Sequence, residues 1–419
     1  MSYNNEVALI GYGKSNQALE GYLLSIGISS SIHTRERSLG EDYLKTNEKI
    51  AFRTPAVRPD KITGSAKITS EIALATSLTN GYKIGVTGSD GKTTTSTLIH
   101  KMLLADGKSA RLCGNIGTPA IVGATDTTDS SYTVLEMSSF QLFDFCPSLD
   151  CAIITGITEN HLDWHTDMDE YIRAKENILV NSGRAVLLCD DLLLKMSRRH
   201  SAELSFFSLD DFDAPRGAHK ACVKDGFITL DGIRVLEIDK IRLKGKFNLL
   251  NIECALCALY GVVDTDVVRE VAYTFSGVEG RMSVIDVLGG VTVIDSSIDS
   301  TPSRTATTLS ALDKSRCVVL LGGHDKGLSY DILSRALDGV KYAVICGANS
   351  DKIYRAIRGS ARAHITNNFE CAVREACAMC AGGDILLLSP ASASFDMFEN
   401  YRQRASEFAR IVRGYKWKK

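Results

Sequence analysis

The clearest chemical signal in the sequence is a glycine-rich segment that follows the short apolar run 83–87. A strand, a glycine-rich turn and a helix together let backbone N–H groups and the helix dipole bind phosphate oxygens. In such a turn a lysine pairs with the β- and γ-phosphates, and the next hydroxyl binds Mg²⁺. Five residues rather than four separate Gly85 from Gly91, so the match to G-x-x-x-x-G-K-[ST] is imperfect. The alternative is a turn with a surface lysine, but the helical pattern that follows favours a nucleotide-binding site at Gly88, Ser89, Asp90, Gly91, Lys92, Thr93 and Thr94.

Further along the chain, two short segments carry residues that could bind a metal, and a third carries a lysine. Glu136 lies inside an apolar strand pattern, where an unpaired carboxylate is costly. His161, Asp163 and His165 form a cluster that could be a zinc site, although zinc would need a further ligand. Lys175 ends the segment Tyr171-Ile172-Arg173-Ala174-Lys175. On their own, His161 could be a core histidine and Lys175 a solvated lysine, but the nearby nucleotide segment favours Mg²⁺.

Composition is that of an ordinary globular protein. The chain has 419 residues, 48 Lys and Arg against 50 Asp and Glu, and 44% hydrophobic residues, which exclude wholesale disorder. The net charge of −2 excludes a chain-wide attraction to nucleic acid or to an anionic membrane. We see no signal peptide and no transmembrane run, and the 12 cysteines are typical of reduced thiols. We therefore expect a cytoplasmic monomer with no nucleic-acid or membrane partner.

Apolar runs that alternate with helical patterns predict an α/β fold with parallel sheets. Composition shifts near residues 79–82 and 276–280 predict three domains, residues 1–80, 81–277 and 278–419, with a small hairpin-like β-excursion at 206–246. Two C-x-x-C pairs, at Cys254/Cys257 and Cys377/Cys380, lie in alanine-rich helical patterns, which favours core packing over a zinc or redox site. The strand-like runs are 7–11, 83–87, 133–137, 152–157, 185–189, 291–295, 317–323, 342–347 and 384–389.

The order of several motifs resembles the Mur ligase family, whose members build the peptide stem of peptidoglycan. The resemblance spans most of the chain, and within the family the S-S-F-Q-L segment is most similar to the ligases that add D-glutamate to UDP-N-acetylmuramoyl-L-alanine. The motifs are T-G-x-x-G-K-T-T at 87–94, G-N-I-G-T-P at 114–119, E-M-S-S-F-Q-L at 136–142, T-E-N-H-L-D-W-H at 158–165, Y-I-R-A-K at 171–175 and S-P-A-S-A-S-F-D at 389–396.

This resemblance implies a Rossmann-like N-terminal domain that holds the UDP group, a central P-loop-type mononucleotide-binding domain, and a Rossmann-like C-terminal domain. It implies ATP-dependent amide synthesis through an acyl phosphate, with Lys92, Glu136, His161 and Lys175 as catalytic residues. Thr93 and Glu136 would bind one Mg²⁺, and His161 and Lys175 a second. An ammonium group cannot bind a cation, and in the resembled family this lysine is carbamylated.

The resemblance also implies the binding residues. The G-x-G-x-x-N segment 11–16 lacks the third glycine of a dinucleotide fingerprint, so alone it is a weak signal. The ATP-binding set is extended by Asn248, Arg281 and Asp295. The substrate-binding set is Ser15, Asn16, Thr34, Arg35, Asn115, Ser138, Ser300, Lys326, Ser394 and Tyr401.

The segment Asp295-Ser296-Ser297-Ile298-Asp299-Ser300-Thr301 departs most from the family pattern N-D-S-K-A-T-N. Ile298 stands in the place of a lysine, so Lys326 or Arg304 would have to supply the positive charge. Three functions remain open on the sequence alone. They are a D-glutamate ligase, a sister Mur ligase or folylpolyglutamate synthetase-like enzyme with another acceptor, and a nucleotide-regulated binding module without activity.

Overall fold

The structure is a computed structural model that describes residues 6–35, 43–162, 164–243 and 245–417. The chain forms two compact units, one of Met1–Ile241 with Phe247–Thr274 and the other of Arg242–Lys246 with Phe275–Lys419. The first unit contains a four-stranded sheet and a nine-stranded sheet, and the second contains a six-stranded sheet. No helix in the described part of the chain is long and apolar enough to span a bilayer.

The four-stranded sheet is parallel, with strand order β2-β1-β4-β6. Every residue of β1 is buried, as its sequence VALI predicts. The chain runs from β1 to β2 on one side and later to β4 on the other, so the carboxyl ends of β1 and β4 border a topological switch point. The elements are β1 (Val7–Ile10), α1 (Lys14–Ser25), β2 (Ser30–His33), β3 (Lys45–Thr46), β4 (Ile50–Arg53), β5 (Thr63–Gly64), β6 (Lys67–Ser70) and α2 (Glu71–Leu78), and β3 and β5 form a small separate pair.

The nine-stranded sheet has the order β15-β14-β13-β12-β11-β10-β7-β9-β8. All neighbours are parallel up to β13, whereas β14 and β15 are antiparallel and extend one edge, which confirms the predicted β-excursion. The strands are β7 (Tyr82–Thr87), β8 (Ala110–Gly114), β9 (Tyr132–Glu136), β10 (Ser148–Ile154), β11 (Asn181–Leu188), β12 (Glu203–Ser208), β13 (His219–Lys224), β14 (Phe227–Leu230) and β15 (Ile233–Glu237). The helices are α3 (Lys92–Ala105), α4 (Ser139–Leu142), α5 (Met168–Glu176), α6 (Asp191–Ser197), α7 (Lys246–Ala258) and α8 (Thr265–Thr274).

The six-stranded sheet of the second unit has the order β16-β17-β21-β18-β19-β20, and only the β16–β17 pair is antiparallel. Its core is formed by continuous apolar strands, which the sequence predicts for a parallel sheet that is covered on both faces. The elements are β16 (Ser283–Leu288), β17 (Val291–Asp295), α9 (Pro302–Ser310), β18 (Cys317–Leu321), α10 (Ile332–Ala336), β19 (Tyr342–Ile345), α11 (Ser350–Ile357), β20 (Ala363–Ile365), α12 (Phe369–Met379), β21 (Ile385–Leu388) and α13 (Tyr401–Arg413).

The cysteine pairs lie on helices that face the core. Cys254 and Cys257 of α7 are fully buried, and burial raises the pKa of both thiols. Cys377 of α12 is also buried, whereas Cys380, just beyond the helix end, is half-buried. The packing interpretation of these cysteines is therefore confirmed.

A carboxyl group is buried beside these thiols without a hydrogen-bonding partner. Glu253 of α7 has no exposed surface, and within the described part of the chain neither of its carboxyl oxygens has a hydrogen-bond donor. Burial raises its pKa to about 9. The folded protein therefore keeps this side chain protonated at neutral pH, whereas the unfolded chain ionises it.

We expect Glu253→Gln to flatten the dependence of stability on pH. Between the unfolded and folded pKa values the unfolded chain binds one proton fewer, so stability falls as pH rises, by up to about 1.4 kcal/mol per unit. Denaturant unfolding at pH 5, 6.5 and 8 should therefore show that the free energy of unfolding of the variant increases relative to that of the parent protein as pH rises. Glu270→Gln, at an exposed position of α8, is the matched control. Parallel pH curves for the parent and Glu253→Gln would contradict the burial argument.

Candidate active site

The phosphate loop, residues 88–91, joins β7 to the amino end of α3. Gly88 has φ of 147° and Gly91 has φ of 82°, a region that favours glycine. A Cβ atom at Gly88 would clash with Thr155 Oγ1, and one at Gly91 would lie 2.5 Å from Asn251 Oδ1. Both glycines are therefore required, and the loop presents its backbone at the start of a 14-residue helix, where anions bind.

The two predicted catalytic lysines, Lys92 and Lys175, both donate to one carbonyl oxygen of this loop. Lys92 Nζ donates to Gly88 O at 2.8 Å and to Ser89 O at 2.8 Å, and Lys175 Nζ donates to Gly88 O at 2.7 Å. Lys175 is only 2% exposed. Burial lowers the pKa of Lys175 well below its usual value, the charge of Lys92 lowers it further, and Asp90 and Glu136 oppose this effect. The structure therefore brings together two lysines that lie far apart in the sequence.

Glu136 ends β9, the strand next to β7, and lies near the same lysines. It is 1% exposed, and its Oε1 accepts a hydrogen bond from Asn115 Nδ2 at 2.8 Å. Its Oε2 is buried, and no donor among the described residues reaches it. A buried carboxylate oxygen without a donor is costly, and a hard cation such as Mg²⁺ would satisfy it. Glu136 Oε2 therefore fits a Mg²⁺ ligand, and Thr93, the other residue predicted to bind that ion, lies in the first turn of α3.

His161 lies in a tight turn with φ of 57°, where its carbonyl oxygen accepts from the N–H groups of Trp164 and His165. Its ring contacts Phe140 at 4.8 Å between centroids and lies 6.3 Å from the ring of Tyr171. Tyr171 also bonds Ser89 Oγ through its hydroxyl at 2.8 Å, and its ring centroid lies 4.6 Å from Lys175 Nζ. Tyr171 therefore links His161, Lys175 and the phosphate loop.

The second histidine of the cluster has another role. His165 Nε2 lies 3.0 Å from Ser139 Oγ, the imidazole is buried, and burial lowers its pKa. Asp163 lies outside the described residues. His165 is therefore directed toward the start of α4.

Two predicted substrate-binding polar groups are engaged in local structure. Ser138 is the N-cap of α4, and with Gln141 it forms a capping box, in which Gln141 N donates to Ser138 Oγ at 3.3 Å. Asn16 is fully buried, and its Nδ2 donates to Gly11 O at 2.8 Å and Phe52 O at 3.0 Å. Asn16 thus holds the end of β1 against β4. Ser15 is half-buried at the start of α1, and Thr34 and Arg35, half-buried and exposed respectively, follow β2.

Two asparagines of α7 interact with each other, and the sequence analysis identified only one of them, Asn248. Asn248 was predicted to bind ATP, and its Oδ1 accepts from Asn251 Nδ2 at 3.2 Å. Asn251 Oδ1 in turn accepts from Thr95 Oγ1 on α3 at 3.2 Å and borders Gly91. The N-x-x-N spacing, which places both amides on one helix face, was a signal that could have identified Asn251.

In the second unit Asp295 is the last residue of β17. Asp295 is buried there, which raises its pKa, and its Oδ1 accepts from Ser297 N at 2.8 Å. Asp299 points inward and accepts from Thr308 Oγ1 and Ser389 Oγ, each at 2.7 Å. Asp299 therefore anchors the segment 295–301. The predicted ATP-binding residue, Asp295, is the other carboxylate of that segment.

The other predicted residues of this unit differ in burial. Ser394 is buried, Arg281, Ser300 and Tyr401 are half-buried, and Lys326 is exposed. Arg404, which the sequence analysis missed, is 1% exposed and donates to Ser297 O at 2.9 Å and Ser392 O at 3.1 Å. It fastens the segment around Ser297 to the segment that carries Ser394. Its partners lie far away in the sequence, so no local signal pointed to it.

Comparison with known proteins identifies the family. Residues 86–259 match the Mur ligase middle domain and residues 280–392 match the Mur ligase, glutamate ligase domain. The chain is 34% identical over 459 aligned residues to the UDP-N-acetylmuramoylalanine--D-glutamate ligase of Ruminiclostridium cellulolyticum, covering 99% of this chain and 97% of the relative. The chain belongs to the Mur ligase family. A ligase of the same name from Clostridium botulinum strain Hall is 34% identical to this Mur ligase over 445 residues, covering 97% of this chain and 96% of the relative.

Solved structures share the fold of this Mur ligase. The UDP-N-acetylmuramate-alanine ligase MurC of Thermotoga maritima superposes with a TM-score of 0.62 at 17% identity, over 98% of this chain and 99% of that chain. The MurF ligase of Thermotoga maritima, solved in complex with ADP, gives a TM-score of 0.61 at 19% identity, over 97% and 94% of the two chains. The predicted α/β class, with N-terminal, central nucleotide-binding and C-terminal domains, is confirmed.

We expect Asn251→Ala to weaken ATP binding by about fivefold or more. The substitution removes the acceptor for Thr95 and the donor to Asn248, and one net hydrogen bond contributes about 1 kcal/mol. Equilibrium titration with a fluorescent ATP analogue measures the effect. Asn181→Ala, at an exposed position of β11, is the control. An unchanged Kd in Asn251→Ala would separate this amide from the nucleotide site.

Proposed function

We propose that this Mur ligase joins D-glutamate to UDP-N-acetylmuramoyl-L-alanine and converts ATP to ADP and phosphate, in cytoplasmic synthesis of a peptidoglycan precursor. The observation that carries the proposal is the convergence of Lys92 and Lys175 on Gly88 O, together with Glu136, whose charge acts on Lys175 and whose Oε2 accepts no hydrogen bond from the described residues. The relatives that bear the D-glutamate ligase name match this chain over almost its full length.

The reaction needs an activated carboxyl group, because a carboxylate is a poor acyl donor. A carboxylate oxygen of the L-alanine residue attacks the γ-phosphorus, the bond to the ADP oxygen breaks, and an acyl phosphate forms. The amine of D-glutamate then attacks the acyl carbon, a C–N bond forms, phosphate leaves, and the amine loses a proton to solvent. Most of this catalysis is positioning and charge stabilisation. The phosphate loop and Lys92 would orient the ATP phosphates for the first step.

Two Mg²⁺ ions would offset the negative charge of the phosphates and of the acyl phosphate. Thr93 and Glu136 would hold one ion, and the unpaired Glu136 Oε2 supports this assignment. His161 and Lys175 would hold the other.

We propose that Lys175 is carbamylated in the active enzyme. Its nitrogen would bond to the carbon of CO₂ and release a proton, which replaces a cation with an anionic oxygen ligand. Burial and the neighbouring Lys92 support this, because they lower the pKa of Lys175 and favour the neutral amine that reacts with CO₂. The same two features make an ammonium group costly at this position.

The substrates would be divided among three domains, residues 1–80, 81–277 and 278–419. Ser15, Thr34 and Arg35 would bind the UDP group, with Asn16 shaping the turn at Gly11. The remaining assignments keep their predicted roles. They are Asn115 and Ser138 for the muramoyl substrate, Asn248, Arg281 and Asp295 for ATP, and Ser300, Lys326, Ser394 and Tyr401 for D-glutamate. The protein would act as a monomer on these small molecules.

The acceptor is tested by phosphate release with a panel of amino acids and UDP-muramyl substrates. We expect turnover with UDP-N-acetylmuramoyl-L-alanine only when D-glutamate is present, with ATP and Mg²⁺. Ile298 stands where the family pattern has a lysine, so the panel tests directly whether this chain still uses D-glutamate as the acceptor. Turnover with L-lysine or diaminopimelate alone would assign a sister ligase, and no turnover with any pair would assign a binding module.

We expect Lys175→Ala to lower kcat by about a thousandfold or more, because the site loses an anionic ligand and one Mg²⁺. A short-chain carboxylic acid should restore part of the rate. Lys195→Ala, at an exposed position of α6, should keep full activity. Intact-mass analysis under CO₂ should show one added CO₂ on the parent protein and none on Lys175→Ala. Full activity in Lys175→Ala would remove this lysine from the mechanism.

A further inference from the structure

Arg58, from the chain segment after β4, contacts the turn that carries His161. Its Nη1 donates to the backbone oxygen of Trp164 at 2.7 Å and to Glu170 Oε2 at 2.9 Å. Its Nη2 donates to Glu170 Oε1 at 3.1 Å, so the pairing with Glu170 is bidentate. It also pairs with Asp60. One guanidinium group thus binds both the turn and the first turn of α5.

Aromatic rings cover the guanidinium group. Arg58 Cζ lies 5.0 Å from the ring centroid of Phe143 and 4.9 Å from that of Trp164. The side chains of Arg58 and Glu170 are each only 15% exposed. A planar cation that stacks on rings and donates in a bidentate pair is a role that lysine does not reproduce. The pair is therefore partly desolvated and geometrically constrained.

Glu170 extends these contacts toward the active site. Hydrogen bonds from Arg58 lower the pKa of Glu170 to about 2, so it stays ionised. Its Oε2 also accepts from Thr166 N at 2.9 Å and lies 3.4 Å from His165 Nδ1. Glu170 lies in the first turn of α5, and Lys175 lies in the last turn. Whatever holds Glu170 therefore helps to hold the helix that carries Lys175.

The turn is held from the same side by a second contact. Trp164 Nε1 donates to Ala56 O at 3.1 Å, so the segment 56–58 holds both the side chain and the backbone of Trp164. The N–H groups of Trp164 and His165 in turn close the turn on His161 O, and His161 needs this support because its φ of 57° is unfavourable for a residue other than glycine.

We infer that Arg58 is a positioning residue for the ligase reaction. It fixes the turn that carries His161 and Trp164, and the start of α5, so that His161 and Lys175 are placed together beside the phosphate loop. The inference rests on the proposed ligase function. Arg58 lies between β4 and β6 of the four-stranded sheet, outside the motifs that carry the resemblance. The inference gives it control over the placement of two proposed Mg²⁺ ligands.

The kinetic test compares Arg58→Ala and Glu170→Gln with Arg173→Ala, an exposed arginine on the same helix α5. We expect Arg58→Ala to lower kcat by about tenfold to a hundredfold, because misplaced groups slow the chemical step after the substrates have bound. The Mg²⁺ concentration that gives half the maximal rate should rise, because two proposed Mg²⁺ ligands are displaced. KM for ATP should change less than about twofold. Arg58→Lys should recover little of the lost rate, and Arg58→Ala combined with Glu170→Gln should lower kcat no more than the larger of the two single effects.

A second measurement detects movement of this turn by fluorescence and needs no catalytic activity. The chain has 2 tryptophans, so Trp417→Phe leaves Trp164 as the single reporter. In that background, Arg58→Ala should shift Trp164 emission to longer wavelength and increase its quenching by acrylamide, whereas Arg173→Ala should change neither. This comparison remains decisive if the parent protein fails to turn over any substrate pair, an outcome that would count against the proposed function alone.

Three results would overturn the inference. The first is a folded Arg58→Ala variant with the parental kcat and Mg²⁺ dependence. The second is a loss confined to KM for the UDP-linked substrate, which would assign Arg58 to substrate binding instead. The third is unchanged Trp164 emission and quenching, which would leave the turn in place without its arginine.

Discussion

The candidate active site depends on one carbonyl oxygen, that of Gly88, which accepts hydrogen bonds from two lysine side chains. Two ammonium groups on one oxygen repel each other, and the repulsion is stronger because Lys175 is buried. The carboxylates of Asp90 and Glu136 reduce this repulsion but do not cancel the cost of burying Lys175. The arrangement therefore favours a neutral Lys175, and that is the state in which the nitrogen can become part of an anionic ligand.

The surrounding structure keeps this oxygen in place. Thr155, at the end of β10, donates to Thr87 O and occupies the space that a side chain at Gly88 would need. Tyr171 bonds Ser89 from the other side and packs its ring against Lys175. The phosphate loop is therefore held both by the neighbouring strand and by the helix that provides its second lysine.

The α/β class and the phosphate loop were predictable because their signals are local. Continuous apolar runs mark buried parallel strands, and each run that was identified overlaps a strand. Strands with polar residues, such as β2 (Ser30–His33) and β8 (Ala110–Gly114), were not predicted, because tertiary pairing rather than pattern stabilises them. Arg58 and Arg404 were missed for a related reason, since Trp164, Glu170 and Ser297, which they bind, lie far away in the sequence. Asn251 did have a local signal, its N-x-x-N spacing from Asn248. The burial of Asn16 also follows from a distant partner, Phe52 O.

The capping box at Ser138 and Gln141 bears on how substrate choice could change in this family. Within the motif S-S-F-Q-L, Ser138 and Gln141 form the hydrogen bonds that start α4. If Ser300 and Lys326 bind the acceptor as proposed, a related chain could keep this motif unaltered while residues near 298–301 and 326 change to suit another acceptor. The motif at the start of α4 would then reflect common descent, whereas the residues of the second unit would determine which acceptor is used.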